Sequence, residues 1–361
     1  MLFSFSPAAL SHNWIGPLVT TTLSEGMMAI DAAQPVPAWP PLTATAIRRA
    51  WLIRHSGFNK KLKKFFTEYR KLATPSRMLI QSALAAQTNL PAILGNQQAC
   101  PVISNLADIE EAIKDLFEYA FGQLSREDDS GSPVRDRHYS DIYDHLPDRI
   151  CPFCGLSPMR GKKGPRHHLD HWMAISRYPF AGADLRNLCP MCDACNATFK
   201  GMTDILHNSA NARRRSSDPY QGPTYQIVLS NSVWGKGNKR MNFFLPRWQI
   251  DFMGNPAEQA ETWNEVFKIR SRYQEDILDP EFFPWLNHFA RWFNGEIQYE
   301  RTPQGISQSF GPYIGQVIQE RFAENSFLKA EVFRFLEKSC QSPEYRDDVT
   351  GLLLSIADNI Q

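Results

Sequence analysis

Features typical of an exported or membrane-spanning protein are missing from the sequence. No apolar run approaches the roughly 20 residues of a membrane-spanning helix. No Lys or Arg precedes Arg48, and Pro7 interrupts the opening apolar stretch, so a secretory signal is not indicated and a cytoplasmic location is expected. Hydrophobic residues make up 43% of the 361 residues, so a chain that is disordered along its whole length is excluded.

The sequence also lacks net charge, because 39 basic residues oppose 38 acidic ones. The charges are nevertheless segregated: residues 48–71 carry +8, 151–220 carry +5 and 221–256 carry +3, whereas 105–150 and 257–361 each carry −7. An anionic ligand responds to the potential within a Debye length of about 8 Å. A nucleic-acid partner is therefore not excluded. We expect the acidic segments either to repel DNA from all but one face or to pack against the basic segments as an intramolecular brake.

Apolar residues at spacings of three and four predict helices on both sides of a cysteine-rich segment. One such stripe comprises Leu62, Phe65, Phe66, Tyr69 and Leu72, and another comprises Phe282, Trp285, Leu286, Phe289 and Phe293. Residues 1–42 have little charge and end in a proline-rich stretch, which is typical of an extended arm. Two β-type runs, 225–229 and 241–245, predict a hairpin with a basic tip.

The predicted organisation therefore has five parts. These are an extended arm (1–42), an N-terminal helical region (43–150), a cysteine-rich domain (151–222), a β-hairpin (223–256) and a C-terminal helical region (257–361).

Five of the seven cysteines lie within 45 residues, in a pattern typical of a zinc site. Cys151 and Cys154 form one C-x2-C pair, and Cys189, Cys192 and Cys195 supply a second. Each pair presents two thiolates to one tetrahedral ion, and an odd, clustered set favours metal ligation over disulfides. The second pair is either 189/192 or 192/195, and the chemistry of the residues does not choose between them.

Polar residues accompany the cysteines in a fixed order. Asp170-His171 lies between the two pairs, Asn187-Leu188 precedes the second pair, and Asn196 and Lys200-Gly201 follow it. Over about 50 residues, 151–201, this order resembles the zinc-knuckle branch of the HNH endonucleases, the ββα-metal nucleases. The resemblance implies an α+β, mostly helical fold with a small treble-clef-like HNH domain between helical regions.

The resemblance also implies which cysteines bind the ion. It assigns Cys192 and Cys195 to the second pair, so that a structural Zn²⁺ is held by these two residues with Cys151 and Cys154. Cys189 then falls at an apolar strand position and is expected to be a small buried hydrophobic residue. Because a β-hairpin and one helix bury too little apolar surface to fold alone, the zinc would supply folding free energy.

The implied activity is hydrolysis of DNA phosphodiester bonds, leaving 3′-hydroxyl and 5′-phosphate ends. Asp170 and Asn196 offer oxygen ligands for a catalytic Mg²⁺ or Mn²⁺. His171 would deprotonate the attacking water, and Asn187 would orient the loop that follows this base. The similar subgroup is often attached to bacterial restriction and phage-defence proteins, which makes DNA and other defence proteins the expected partners.

Basic side chains around the motif are expected to contact DNA phosphates. His168 shares its strand face with Asp170, so it can approach either the ion or the DNA. The family commonly has Pro-Lys where this chain has Ala174 and Ile175, and Arg177 is the expected substitute. The predicted DNA contacts are Lys162, Lys163, Arg166, His168, Arg177, Lys200, Arg213, Arg214 and Arg215.

An alternative is a zinc-stabilised module that binds nucleic acid, or serves as an adaptor subunit, without catalysis. Four structural cysteines are common in zinc ribbons and do not by themselves require a nuclease. His207 follows no metal-ligand spacing and is expected to be a polar surface residue.

Overall fold

Helices account for most of the chain in the computed structural model, which describes residues 1–103, 105–240, 243–296 and 298–360. The strands are short, so the coarse prediction of a mostly helical protein with small sheets is confirmed. The chain divides into an N-terminal unit (Met1, 3–153 and 157–223) and a C-terminal unit (Leu2, 154–156 and 224–361). Among the described helices, none combines the length and apolar character needed to cross a membrane.

The N-terminal unit is built on helices that precede the cysteine-rich segment. They are α1 (Ile15–Asp31), α2 (Ala46–Arg54), α3 (Gly57–Lys71), α4 (Thr74–Gln87), α5 (Leu90–Leu94), α6 (Ala107–Gln123) and α7 (Val134–His145). In α3, the predicted stripe from Leu62 to Tyr69 is buried while Lys60, Lys63 and Lys64 are exposed. The helical spacing therefore predicts the buried face of this element correctly.

The extended arm predicted for residues 1–42 is wrong. Helix α1 occupies 17 of these residues and buries Val19, Leu23 and Met27. Helix α1 packs closely on α3, since a Cβ atom at Gly26 would lie 2.2 Å from the Phe66 ring. The proline-rich stretch at 34–41 does lack helix and strand.

The cysteine-rich segment shares its core with the helices rather than enclosing one of its own. Phe180, Ala183, Leu185 and Leu188 belong to the same buried cluster as residues of α1, α3, α4 and α6. The rings of Phe117 and Phe180 meet edge to face, with centroids 5.5 Å apart. Helical residues from outside 151–222 therefore support the candidate site.

Two short strands and one helical turn form the framework of that segment. Strand β1 (Leu169–His171) pairs antiparallel with β2 (Leu188–Pro190), with Asp170 opposite Cys189 and His171 opposite Leu188. The helical turn Ala194–Lys200 follows and has the wide π geometry. It ends at Gly201, whose φ of +44° suits glycine.

The C-terminal unit begins with short strands and continues with helices. The strands are β3 (Gln226–Val228), β4 (Lys239–Arg240), β5 (Phe243–Phe244) and β6 (Asp251–Met253). The helices are α8 (Ala257–Phe267), α9 (Ile269–Arg272), α10 (Asp279–Gly295), α11 (Pro303–Gln319), α12 (Ser326–Gln341) and α13 (Arg346–Asn359), with a π-type turn at Tyr273–Leu278. All five members of the predicted stripe from Phe282 to Phe293 are buried in α10.

The predicted pairing of 225–229 with 241–245 is corrected by the structure. Strand β3 pairs with β6, and β4 pairs with β5 in a separate two-residue ladder. The reason lies in the aromatic residues between β3 and β6, because Trp234, Phe243 and Trp248 each pack against Phe282 of α10. Met241 and Asn242 of the predicted second strand lie outside the described residues.

Candidate metal centre

Four cysteine thiols converge at the start of β1 and the end of β2. The Sγ atoms of Cys151, Cys154, Cys192 and Cys195 all lie within 4.8 Å of one another, and the four side chains are buried. This set can hold a metal ion such as Zn²⁺, which tetrahedral sulfur ligation suits. Cys189 is also buried but stands outside the set, and burial raises the pKa of its thiol well above the ordinary range.

Backbone geometry around the thiols is that of two C-x2-C knuckles. The amide of Cys192 donates to the Sγ of Cys151 at 3.4 Å, and the amide of Leu156 donates to the Sγ of Cys154 at 3.5 Å. Gly155 adopts a φ of +69°, which permits the tight turn after the first pair. Amide donation to sulfur stabilises a thiolate, the form in which cysteine binds metal.

The imidazole of His171 is held in one orientation at the end of β1. Its Nε2 lies 2.9 Å from the carbonyl oxygen of Gly182. A carbonyl only accepts, so Nε2 donates and Nδ1 keeps the lone pair. The ring also packs on Phe121, with centroids 4.6 Å apart. Burial lowers the pKa of His171, although the hydrogen bond to Gly182 and the charge of Asp170 act to raise it. The lowered pKa favours the neutral ring.

The fully buried side chain of Asn187 ties together the loop that holds this imidazole. Its Nδ2 donates to the carbonyl oxygens of Met173 (3.0 Å) and Ala181 (3.2 Å), and its Oδ1 accepts from the Met173 amide (2.7 Å). Met173 comes shortly after His171, and Ala181 precedes the Gly182 that accepts from the ring. Asn187 is thus in a position to orient the loop, as the resemblance implies.

Asp170 makes a close ion pair with Lys200. Its Oδ2 lies 2.6 Å from the Nζ of Lys200, whose side chain is 2% exposed. Asn196 is half-buried on the same helical turn as Lys200, one residue after Cys195. The turn therefore carries Cys195 of the thiol cluster and Asn196, one of the two predicted oxygen ligands. It also carries Lys200, which pairs with the other predicted ligand, Asp170.

Three of the predicted DNA contacts face inward in the structure, where each is paired with a group of the N-terminal unit. Lys200 is buried against Asp170. Arg213 donates to the carbonyl oxygen of Leu206 at 3.1 Å, and the buried Arg214 donates to that of Asp204 at 2.5 Å. These side chains pair with carboxylate and carbonyl oxygens within the N-terminal unit. The charge pattern alone had suggested that they lie at the surface.

The other predicted DNA contacts lie at or near the surface. Lys163, His168 and Arg215 are exposed. Three more are paired with carboxylates: Lys162 with Asp144 (2.7 Å), Arg166 with Asp136, and Arg177 with Asp204 (3.0 Å).

The acidic segment 105–150 packs against both basic segments of the N-terminal unit. Besides the pairs made by Asp136 and Asp144, the pairs are Lys64 with Glu111 (2.7 Å), Lys61 with Asp115 (3.6 Å) and Arg48 with Asp129 (3.7 Å). Of the two arrangements expected for the acidic segments, direct packing is the one found for 105–150.

A polar cluster around Asp204 was missed in the sequence. Its Oδ2 accepts from the Tyr178 hydroxyl at 2.8 Å and lies 3.0 Å from Nδ1 of His207 and 3.0 Å from Arg177. The side chain of His207 is 17% exposed and is therefore half-buried. An Asp-x-x-His spacing was the available signal. The cluster borders a cavity of about 490 Å³ that is also lined by Cys100. Burial raises the pKa of the Cys100 thiol to about 11.

Comparison with known proteins yields no match: no family model, no curated protein and no solved structure is similar to the chain.

Proposed function

We propose that this protein is a metal-dependent endonuclease of the HNH type that hydrolyses DNA phosphodiester bonds. The observation that carries the proposal is the support of His171, whose Nε2 donates to Gly182 while Asn187 ties down both ends of the intervening loop. This arrangement leaves Nδ1 as the basic nitrogen and restricts its orientation, which is what a general base needs.

The four-cysteine site supports the proposal by accounting for how so small a framework is held. The two three-residue strands and the turn are short, so a structural Zn²⁺ would add folding free energy to that of the core which the segment shares with the helices. The zinc-bound Cys195 and the proposed ligand Asn196 are neighbours in sequence, so the structural ion would also help to position the reactive groups.

The residues near Asp170 suit a hard divalent ion. Its Oδ2 is buried and pairs with the Nζ of Lys200 at 2.6 Å. Once this ammonium is displaced, the carboxylate would be a suitable ligand for Mg²⁺ or Mn²⁺, with the Asn196 amide as a second oxygen donor. When bound, such an ion would stabilise charge on the phosphate and on the leaving 3′ oxygen.

The roles of the chain's own groups follow from this geometry. His171 would take a proton from water at Nδ1 while Gly182 holds the opposite nitrogen. Asn187 would keep the ring aligned, and the exposed Lys163, His168 and Arg215 would contact the DNA backbone. We also propose the setting that the resemblance implies, a bacterial defence system in the cytoplasm with further protein partners.

The experiment is incubation of the zinc-loaded protein with supercoiled plasmid and Mg²⁺ or Mn²⁺, followed by chemical mapping of the product ends. The proposal predicts nicked or linear DNA with 3′-hydroxyl and 5′-phosphate ends, and no cleavage in EDTA. Ends carrying a 3′-phosphate, or cleavage that persists in EDTA, would contradict it.

A second candidate is a zinc-stabilised DNA-binding or adaptor module without catalysis. The observation that favours it is the Asp170–Lys200 pair, in which the carboxylate is already neutralised without a metal ion. DNA binding with no cleavage under either divalent ion would select this candidate.

A further inference from the structure

We infer that Lys200 is a latch: its ion pair with Asp170 must open before the catalytic ion binds, and DNA opens it, so that ion loading is coupled to substrate binding. This inference rests on the proposed function and adds a regulatory step to the same site. It concerns a lysine that belongs to the motif and was predicted from its charge to contact DNA, yet the structure buries it.

The buried charge of Lys200 depends on its ion pair with Asp170. Burying an ammonium group costs free energy unless a partner compensates it. The Nζ of Lys200, whose side chain is 2% exposed, finds that partner in Oδ2 of Asp170 at 2.6 Å. Asp170 is 23% exposed, so its carboxylate remains accessible from solvent while its buried oxygen faces the lysine.

The ammonium and a divalent ion compete for this carboxylate. Metal–oxygen distances for Mg²⁺ are about 2.0–2.1 Å, so an ion on Asp170 would stand within a few ångströms of Nζ. Repulsion between the two cations is strong at such a separation in a partly buried site. Metal loading therefore requires Lys200 to leave Asp170, or else the ion binds weakly.

The local backbone is suited to release of the lysine. Lys200 is the last residue of the wide turn Ala194–Lys200, which is closed by the Gly201 amide donating to the Asn196 carbonyl oxygen at 2.9 Å. Short π-type turns are rare and are frequently found at functional sites. Gly201 and Met202 beyond it are exposed, so a small rearrangement of the turn would carry Nζ towards solvent.

A DNA phosphate offers Lys200 an alternative anion outside the pocket. If the ammonium exchanges Asp170 for a phosphate, it stays paired while the carboxylate becomes free for the ion. Linkage then requires that DNA and the divalent ion raise each other's affinity by the same factor. The latch would thus keep the site unloaded until substrate arrives.

The test measures Mn²⁺ affinity by electron paramagnetic resonance on the full, zinc-loaded chain carrying His171→Ala, so that no DNA is cut. In this parent, a short DNA duplex should raise Mn²⁺ affinity by about tenfold or more, a free-energy change of about 1.4 kcal/mol. Lys200→Met and Lys200→Gln should bind Mn²⁺ about tenfold more tightly without DNA, and the duplex should add little. Lys200→Arg keeps the charge and should behave as the parent.

Lys63→Met is the matched control, because it removes one exposed lysine from the same unit and should leave Mn²⁺ affinity without DNA unchanged. The inference is overturned if DNA leaves the parent's Mn²⁺ affinity unchanged, a result that needs no Lys200 variant to fold. It is also overturned if both zinc-loaded Lys200 variants bind Mn²⁺ no more tightly than the parent. Asp170→Asn separates the failures: normal Mn²⁺ binding by this variant would refute the proposed metal site itself, whereas lost binding with unaltered Lys200 variants would refute the latch alone.

Discussion

The cysteine-rich segment 151–201 and the C-terminal helices are stabilised in different ways. In the C-terminal unit, aromatic rings surround Phe289 with centroid separations between 5.0 and 5.9 Å; they are Phe293, Phe310, Tyr313 and Phe333. The cysteine-rich segment instead combines four converging thiols with a core that it shares with neighbouring helices. The polar groups of the candidate site therefore lie in a segment that combines a thiol cluster with a shared apolar core.

The largest expected effect comes from breaking the thiol cluster. Cys192→Ala should abolish tight zinc binding and unfold the cysteine-rich segment, because structural zinc contributes on the order of 10 kcal/mol to such folds. Cys189→Ala, the matched control, should keep the zinc and cost only about 1–2 kcal/mol as a core substitution. Metal analysis and thermal unfolding measure both. Loss of zinc from the Cys189 variant but not from the Cys192 variant would show that the ligand set is wrong.

The complementary change is Phe289→Ala in the C-terminal unit. Removing this ring should lower the free energy of unfolding of the unit by about 3–5 kcal/mol without changing the zinc content. Phe244→Ala, at a ring that is 52% exposed, is the control and should have a small effect. Denaturant unfolding with metal analysis checks the prediction. Zinc loss from the Phe289 variant would contradict the claim that the two regions are stabilised in different ways.

Asn187→Ala should affect the site without removing its zinc. The substitution leaves the Met173 amide and two carbonyl groups without their buried partner, which costs about 1–3 kcal/mol for each unsatisfied group. Because the loop would no longer hold His171, cleavage should fall more steeply than stability. Plasmid cleavage and unfolding are measured on the same preparation, and full activity in the destabilised variant would argue against an orienting role.

The smallest expected effect concerns the acidic residues paired with the basic loop. Asp136→Asn with Asp144→Asn should free Arg166 and Lys162, raising DNA affinity a few-fold and steepening its salt dependence. Stability should change by less than about 1 kcal/mol, since such pairs are exposed. Asp347→Asn on α13 is the control. Equal DNA affinity and salt dependence in the double variant and wild type would refute the intramolecular brake.

Elements were predicted correctly where the residues that stabilise them recur at a regular spacing along the sequence. The buried faces of α3 and α10 were readable because apolar residues recur every three or four positions. The cysteine pairs were readable because two thiols on one knuckle have a fixed spacing. Helix α1 was not predicted, because its close contacts at Gly16 and Gly26 are with Ala183 and with Phe66 of α3, which are distant in the sequence.

Long-range pairing explains the remaining errors. Positive charge suggested that Arg213 and Arg214 contact DNA, but each donates to a backbone carbonyl oxygen inside the N-terminal unit. Nothing in the local sequence marks a carbonyl oxygen that needs a donor. The partner of β3 was misassigned for a similar reason, since the intervening aromatic residues pack on α10.

The most direct test of a zinc-supported nuclease site is plasmid nicking by wild type and His171→Ala, with zinc content measured on the same samples and the exposed His145→Ala as control. The account predicts one zinc in all three proteins, with cleavage lost only in the His171 variant. Equal cleavage by the zinc-loaded His171 variant and wild type would contradict it.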